Sequence, residues 1–311
     1  MDQNKTIDLL YDLIDEACMI IHEETNLNYI ESFCRVSNDI TNNFDDSRIS
    51  DEAVSSLENI YTKINNLSFL NEEMRLALEL IIIKGLKHNN YPPQLMTPDS
   101  ISFIFGFLVE KLMDKEFRII DVNLGTANLL NAISNFVSKE ATLIGIEKDE
   151  TLVKLAIASS NLINNEVKIY FNDCLMENYE ISDIVIGDLD NLKQDGNYFP
   201  YLVVNKFLNN LTDDGFFIYL VDNDFFNQDG IKKFKEEFDG TFCGLIVLPN
   251  TMFNKGHVGK SVLIGTKKKL ENVNMLVLRF PSLELTKEVK MTINEIDEWI
   301  KKLKGMIIWR K

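Results

Sequence analysis

Residues 118–147 read RIIDVNLGTANLLNAISNFVSKEATLIGIE, and the remainder of the chain is arranged about them. The run 118–122 is short and apolar, as a strand covered on both faces is, and Asp121 lies near its end, where a parallel strand meets a ligand crevice. Gly125 then gives the turn its backbone freedom. Leu129, Leu130, Ile133, Phe136 and Val137 recur at helical spacing, which predicts a helix with one apolar face on the sheet and its N-terminus at the crevice. A second apolar run, 142–146, closes on Glu147, a carboxylate placed to accept hydrogen bonds from ribose hydroxyls. The whole is a βαβ unit.

What the loop lacks narrows the ligand. A dinucleotide site wants three glycines and a P-loop wants Gly-Lys-Ser/Thr, and neither occurs here. A single Gly125, an acid at Asp121 and an amide at Asn128 suit a cofactor with a cationic amino group and no phosphate, such as S-adenosylmethionine. The next strand, 167–171, ends at Asn172 and Asp173, where an acid or amide can bind an adenine amino group. Asp121, Glu147 and Asp173 therefore set one carboxylate at each of three successive strand ends. One such acid is commonplace; three in consecutive βα units are a far sharper signal.

On these residues the chain resembles the class I S-adenosylmethionine-dependent methyltransferases over about Tyr91 to Lys269. Within them it is similar to the adenine-N6 DNA methyltransferase-like branch, which includes YtxK-like proteins and the modification subunits of type I restriction systems. The resemblance implies an α/β, Rossmann-like, mostly parallel sheet with an antiparallel edge strand, preceded by an all-α domain. It also implies cofactor contacts at Thr97, Asp121, Asn123, Gly125, Thr126, Asn128, Glu147, Asp173 and Asp188. Thr97 and Pro98 open a helix whose apolar face is Ile101, Ile104, Phe105, Leu108 and Leu112, so an ordinary N-cap competes with the ligand role for Thr97.

The fourth strand, SDIVIGD, runs into GDLDNLKQDGNYFP. In the resembling enzymes that loop reads Asn/Asp-Pro-Pro and an aromatic ring, which orient an exocyclic amine and stack on a flipped base. Here Asp188 keeps the first acid, and Leu189, Asp190 and Asn191 stand where the prolines and ring belong. Asp188, Leu189 and Asn191 are the candidate catalytic residues. Tyr198 and Phe199 follow, either as a substitute platform or, more simply, as core residues opening the next helix.

Residues 1–90 read as helical throughout, and 91–311 as the cofactor-binding domain. The first 90 residues hold 17 acidic and 7 basic side chains, most of the net charge of −16. Such acids are usually a solvated helix face; docking a partner protein through them is the functional alternative. The acidic balance argues against tight non-specific DNA binding, so any nucleic-acid substrate is expected to bind weakly and salt-sensitively. The exception is the loop LPNTMFNKGHVGK between the last two expected strands, whose Lys255, His257 and Lys260 offer either a phosphate contact or a solvated tip. Cys18, Cys34, Cys174 and Cys243 are widely spaced and the histidines scattered, which predicts free thiols and no metal. No signal-like or membrane-length run occurs, so a soluble, cytoplasmic protein without membrane contact is expected.

Two functions follow. One is methyl transfer from S-adenosylmethionine, by the resemblance to an adenine-type nitrogen, with Asp188 orienting the acceptor. The other is a cofactor-binding protein that has lost catalysis and acts through protein contacts.

Overall fold

The computed structural model describes residues 3–42, 44–92, 95–253, 259–271 and 273–308. Lys255 and His257 lie outside them, as does part of 89–93, whose two prolines read in the sequence as a linker. The chain packs as two compact units that interleave in sequence: Met1–Thr97 with Leu124–Asn135 and Glu147–Phe171, and Pro98–Asn123 with Phe136–Ile146 and Asn172–Lys311.

The first unit is helical, apart from one strand. Helices α1 (Gln3–Thr25), α2 (Tyr29–Thr41), α3 (Asp51–Asn66) and α4 (Asn71–His88) come first, and α6 (Asn128–Phe136, all but its last residue), α7 (Glu150–Ile163) and strand β3 (Val167–Phe171) complete it. Asn28 and Glu31 form a capping box at the start of α2, exchanging hydrogen bonds of 3.0 and 2.9 Å. The apolar stripe of α1 delivers Leu10, Ile14 and Ile21 to a core shared with Phe33, Ile60, Leu78 and Ile81. Leu152, Leu155 and Ile163 of α7 are buried in that same core, and each such side chain contributes about 1.5–3 kcal/mol. Polar ties accompany the packing: Ser37 donates to the Ala158 carbonyl at 2.8 Å, and Asn135 to Glu72 at 2.9 Å.

The second unit contains α5 (Asp99–Leu112), β1 (Phe117–Asp121) and β4 (Ser182–Asp188), together with β2 (Ala141–Glu147) up to Ile146. A two-residue ladder, β5 (Lys193–Gln194) with β6 (Asn197–Tyr198), precedes α8 (Phe199–Leu208) and β7 (Leu211–Asp222). It ends with α9 (Ile231–Glu237), β8 (Thr241–Val247), β9 (Lys260–Thr266), β10 (Leu276–Arg279) and α10 (Thr286–Ile308). Its strands take the order β10-β8-β9-β7-β4-β1-β2. β1 is parallel to β2 and β4, β4 to β7 and β10 to β8, while β9 runs antiparallel to both its neighbours. This is the mostly parallel Rossmann-like sheet expected. β4 is apolar on both faces, as a central parallel strand must be.

Four local readings change. β10 adds a strand outside β8, recruited by a partner some 30 residues earlier that no local pattern announces. The N-cap of α5 is Pro98, not Thr97, and Ile101 and Ser102 donate to the Pro98 carbonyl. α10 starts at Thr286, ahead of the capping box that Thr292 and Glu295 suggest in the sequence, and Gly305, which reads there as a helix end, lies inside it because nothing crowds that turn. The loop after β4 is a tight hairpin: Asp195 and Gly196 both take positive φ, 50° and 77°, as a type I′ turn demands.

Candidate functional site

The expected ligands fall in both units, and each group has its own geometry. In the first, Gly125 adopts φ +57°, and a Cβ there would lie 3.1 Å from the Leu95 carbonyl oxygen, so the turn is tight as well as left-handed. Ala127 is also left-handed, at φ +62°. This turn is pinned by Glu147, which is only 7% exposed. The Gly125 N–H donates to Glu147 Oε2 at 2.9 Å, and the N–H groups of Lys148 and Asp149 both donate to Oε1 at 2.8 Å. Three of the carboxylate's roughly four lone-pair sites are thus occupied by backbone, leaving room on Oε2 for one further donor. That open acceptor position fits a donating ribose hydroxyl. Asp149 then caps α7 through Thr151 and Leu152.

Asn128 is engaged at both ends of its amide. Its Oδ1 accepts from buried Arg75 at 2.9 Å and its Nδ2 donates to the Thr97 carbonyl at 3.2 Å. Arg75 is fork-bonded to Glu72 at 2.9 and 2.6 Å and paired with Glu79 at 3.3 Å. The Asn128 amide therefore ties α6 to α4 and to the segment before α5. Thr126, 1% exposed, is different again: its hydroxyl has no hydrogen-bond partner, and the residue lines a small internal cavity beside Arg75, Asn131 and Ser159. The sequence signal for Arg75 was a lone arginine on an otherwise apolar helix face.

In the second unit, Asp121, Asp188 and Asp222 terminate β1, β4 and β7, strands that run parallel, so all three lie at the carboxyl end of the sheet where ligands of this architecture bind. Asp121 is buried and accepts from the Asn123 N–H at 3.1 Å. Asn123 Nδ2 donates to the Asp188 carbonyl at 2.8 Å, stitching the end of β1 to that of β4. Asp173 closes its own turn through the Leu175 N–H at 2.9 Å, and Gln194 of the hairpin reaches its other oxygen at 3.4 Å.

The β4 end is internally satisfied. Lys260 Nζ sits 2.5 Å from Asp188 Oδ1, with both side chains about four-fifths buried. Asn191 donates to Asp222 at 2.6 Å, and the Leu189 N–H to the Leu220 carbonyl at 2.9 Å. Burial alone would lower the Lys260 pKa, but Asp188, then Asp222 and Asp190, hold it above its usual range, so it is cationic at neutral pH. Burial raises the Asp222 carboxyl. Tyr198 is 2% exposed and packs edge-on against Tyr201 and near Phe225, and Phe199 is buried at the head of α8. Both are core residues, and the signal was the Asp-Gly turn, which folds the chain back and turns them inward.

Residues 8–86 match the YtxK N-terminal helical domain. The chain is 33% identical over 193 residues to YtxK of Bacillus subtilis (strain 168), a match spanning 60% of this chain and 59% of that one. This chain resembles the YtxK-like proteins. A solved structure from Listeria monocytogenes, assigned to the class I S-adenosylmethionine-dependent methyltransferases, superposes with a TM-score of 0.81 at 25% identity, covering 96% of this chain and 99% of that one. The methyltransferase subunit of a type I restriction-modification system from Streptococcus thermophilus superposes with a TM-score of 0.57 at 13% identity, over 91% and 73%, which speaks to fold alone. The structural neighbours of this chain are thus methyltransferases, a restriction-modification subunit among them. Among the described residues no helix is long and apolar enough to cross a membrane, and no group of three histidine, cysteine or acidic side chains is set to hold a metal. None of the four cysteines is disulfide-bonded, and burial pushes Cys34 up to about 11 and Cys243 up to about 12.

Proposed function

We propose that this chain binds S-adenosylmethionine and is a methyltransferase of the class I type. The observation that carries the reading is the Glu147 carboxylate, buried at a strand end, locked to the Gly125 turn and left with one acceptor site for a ribose hydroxyl. When bound, the cofactor supplies an electrophilic methyl group on sulfonium. The protein's part is to hold an acceptor nitrogen in line with it, and orientation of that kind removes several kcal/mol from the barrier. Titration calorimetry with S-adenosylmethionine tests the reading, and silence at millimolar cofactor ends it.

The acceptor is not adenine in duplex DNA. Asp188 is engaged by Lys260 and the expected stacking ring is buried, while base–aromatic stacking is worth about 1–3 kcal/mol per base. A net charge of −16 also opposes a polyanion. These same features favour a second reading, a cofactor-binding protein without catalysis that works through the acidic helical region. A tritiated-methyl transfer assay on genomic DNA separates them from an active adenine enzyme: strong incorporation, abolished by Asp188→Ala, would overturn both.

A further inference from the structure

The guanidinium of Arg75, fully buried on α4, is aimed as well as paired. Its Nε and Nη2 donate to the two oxygens of Glu72 at 2.9 and 2.6 Å, a fork that fixes the plane of the group. Nη1 then reaches Glu79 at 3.3 Å and Asn128 Oδ1 at 2.9 Å. An arginine can only donate, so it holds the Asn128 amide one way round, with its oxygen toward α4 and its Nδ2 toward the Thr97 carbonyl at 3.2 Å. Asn135, two helical turns further along α6, donates to Glu72 at 2.9 Å. One ion pair on α4 thus grips α6 near both of its ends.

At the head of α6 stands the Gly125 turn. Gly125 and Ala127 are both left-handed, at φ 57° and 62°, and alanine resists that conformation, so the turn persists only while its surroundings hold it. Glu147 holds it through the Gly125 N–H, and Ser159 through the Thr126 carbonyl at 3.2 Å. On another side a Gly125 Cβ would stand 3.1 Å from the Leu95 carbonyl oxygen, so residues 95–97 are the wall against which the turn closes. The Asn128 amide ends on that wall.

We propose that Arg75 is a positioning residue for the cofactor turn: acting through the Asn128 amide, it sets the Gly125 turn against the 95–97 wall and makes the helical domain a working part of the cofactor site. Glu72, Arg75 and Glu79 all lie within the helical family domain, 8–86, so that domain reaches the turn through its own side chains. Asn128, which the sequence offers as a cofactor ligand, acts on the ligand at one remove. A lysine in place of Arg75 keeps the charge without the fork, and a methionine keeps the volume alone. Calling the turn a cofactor turn rests on the S-adenosylmethionine reading; the clamp on it does not.

The test is a double-variant cycle in the full chain, read by titration calorimetry with S-adenosylmethionine at a temperature where each protein is folded. Arg75→Met and Asn128→Leu should each lower the association constant about tenfold, the size expected for one lost charge-assisted hydrogen bond. The double variant should lose no more than the larger single loss. Arg75→Lys should stay weak, and a wild-type constant there would show that charge alone suffices and overturn the proposal. Additive losses overturn it too, as do thermal midpoints that fall while the folded protein keeps its wild-type affinity. Should Arg75→Met fail to fold, Asn128→Asp decides. It keeps an oxygen for Arg75 but sets a carboxylate against the Thr97 carbonyl, so a folded Asn128→Asp chain of unchanged affinity overturns the clamp. Amide hydrogen exchange of the cofactor-free chain is read separately. Either variant should exchange faster at 95–97 and 125–128 while α1 keeps its wild-type rates, and uniform acceleration overturns the clamp. Selective acceleration with no cofactor heat in the wild type retains the clamp and discards the methyltransferase reading; cofactor heat that ignores Arg75 does the reverse.

Discussion

Glu147 and Asp188 are both carboxylates at the carboxyl end of a parallel strand, yet they are held in opposite ways. Glu147 is bound by three backbone N–H groups, and among the described residues of its unit no cation comes within hydrogen-bond range of it. Asp188 is bound by an ammonium. Neutral donors position a carboxylate without cancelling its charge, so Glu147 remains an acceptor for a ligand. A salt bridge offsets it, so Asp188 faces a ligand as one half of an ion pair. Residue type at a strand end therefore says little until its donors are known.

The largest expected effect is at Glu147. Replacing it with alanine strips the acceptor from three N–H groups, and with about 1–3 kcal/mol for each donor that stays dry, a stability loss on the order of 3 kcal/mol is expected in denaturant titration. Cofactor binding should go with it. A Glu147→Ala chain of wild-type stability would place the two carboxylates in one class and break the contrast. Asp188→Asn comes next. Because Lys260 and Asp188 are each about one-fifth exposed, the expected cost is about 2 kcal/mol, less than the 3–5 kcal/mol of a fully buried pair, and the cofactor should still bind. Loss of cofactor heat in this variant would show that Asp188 serves the cofactor as well.

A smaller, pH-dependent effect belongs to Asp222. Its carboxyl is raised from 3.8 by burial, against the Asn191 hydrogen bond and the Lys260 charge, with Asp224 and Asp188 adding to the rise. A carboxyl whose pKa is higher folded than unfolded favours the fold most below the unfolded value, and that advantage is lost as pH rises through the folded value. Asp222→Asn should therefore gain on the wild type as pH rises above the ordinary carboxylate range, and parallel stability curves would refute this. The least effect is expected from Thr126→Val. Its hydroxyl has no partner to lose, so stability should change by less than about 1 kcal/mol. A clear drop in cofactor affinity would move Thr126 from interior packing to ligand contact.

What the sequence disclosed follows the range of the interaction. The βαβ unit was legible because β1, α6 and β2 each carry their own periodicity, and Gly125 announces the turn between them. The four N-terminal helices were legible for the same reason. The Lys260–Asp188 pair was not, since 72 residues separate its members and Lys260 closes a lysine-bearing loop that reads equally well as a solvated tip. Asn128 shows the subtler failure: a polar residue beside a glycine turn suggests a ligand, but the buried arginine that claims its amide lies 53 residues away on α4. β10 failed because a four-residue strand owes its existence to its neighbour.

The interleaving of the first unit bears on how such a chain can be inherited. Leu152, Leu155 and Ile163 of α7, and the Asn128 amide of α6, are buried against elements that precede residue 90. A gene truncation at the linker would uncover them, and a fusion carrying residues 1–90 alone would bring only part of a core. The helical segment and the glycine turn are thus bound to travel together through recombination, and a lineage that discards the first has to rebuild the ground on which the second stands.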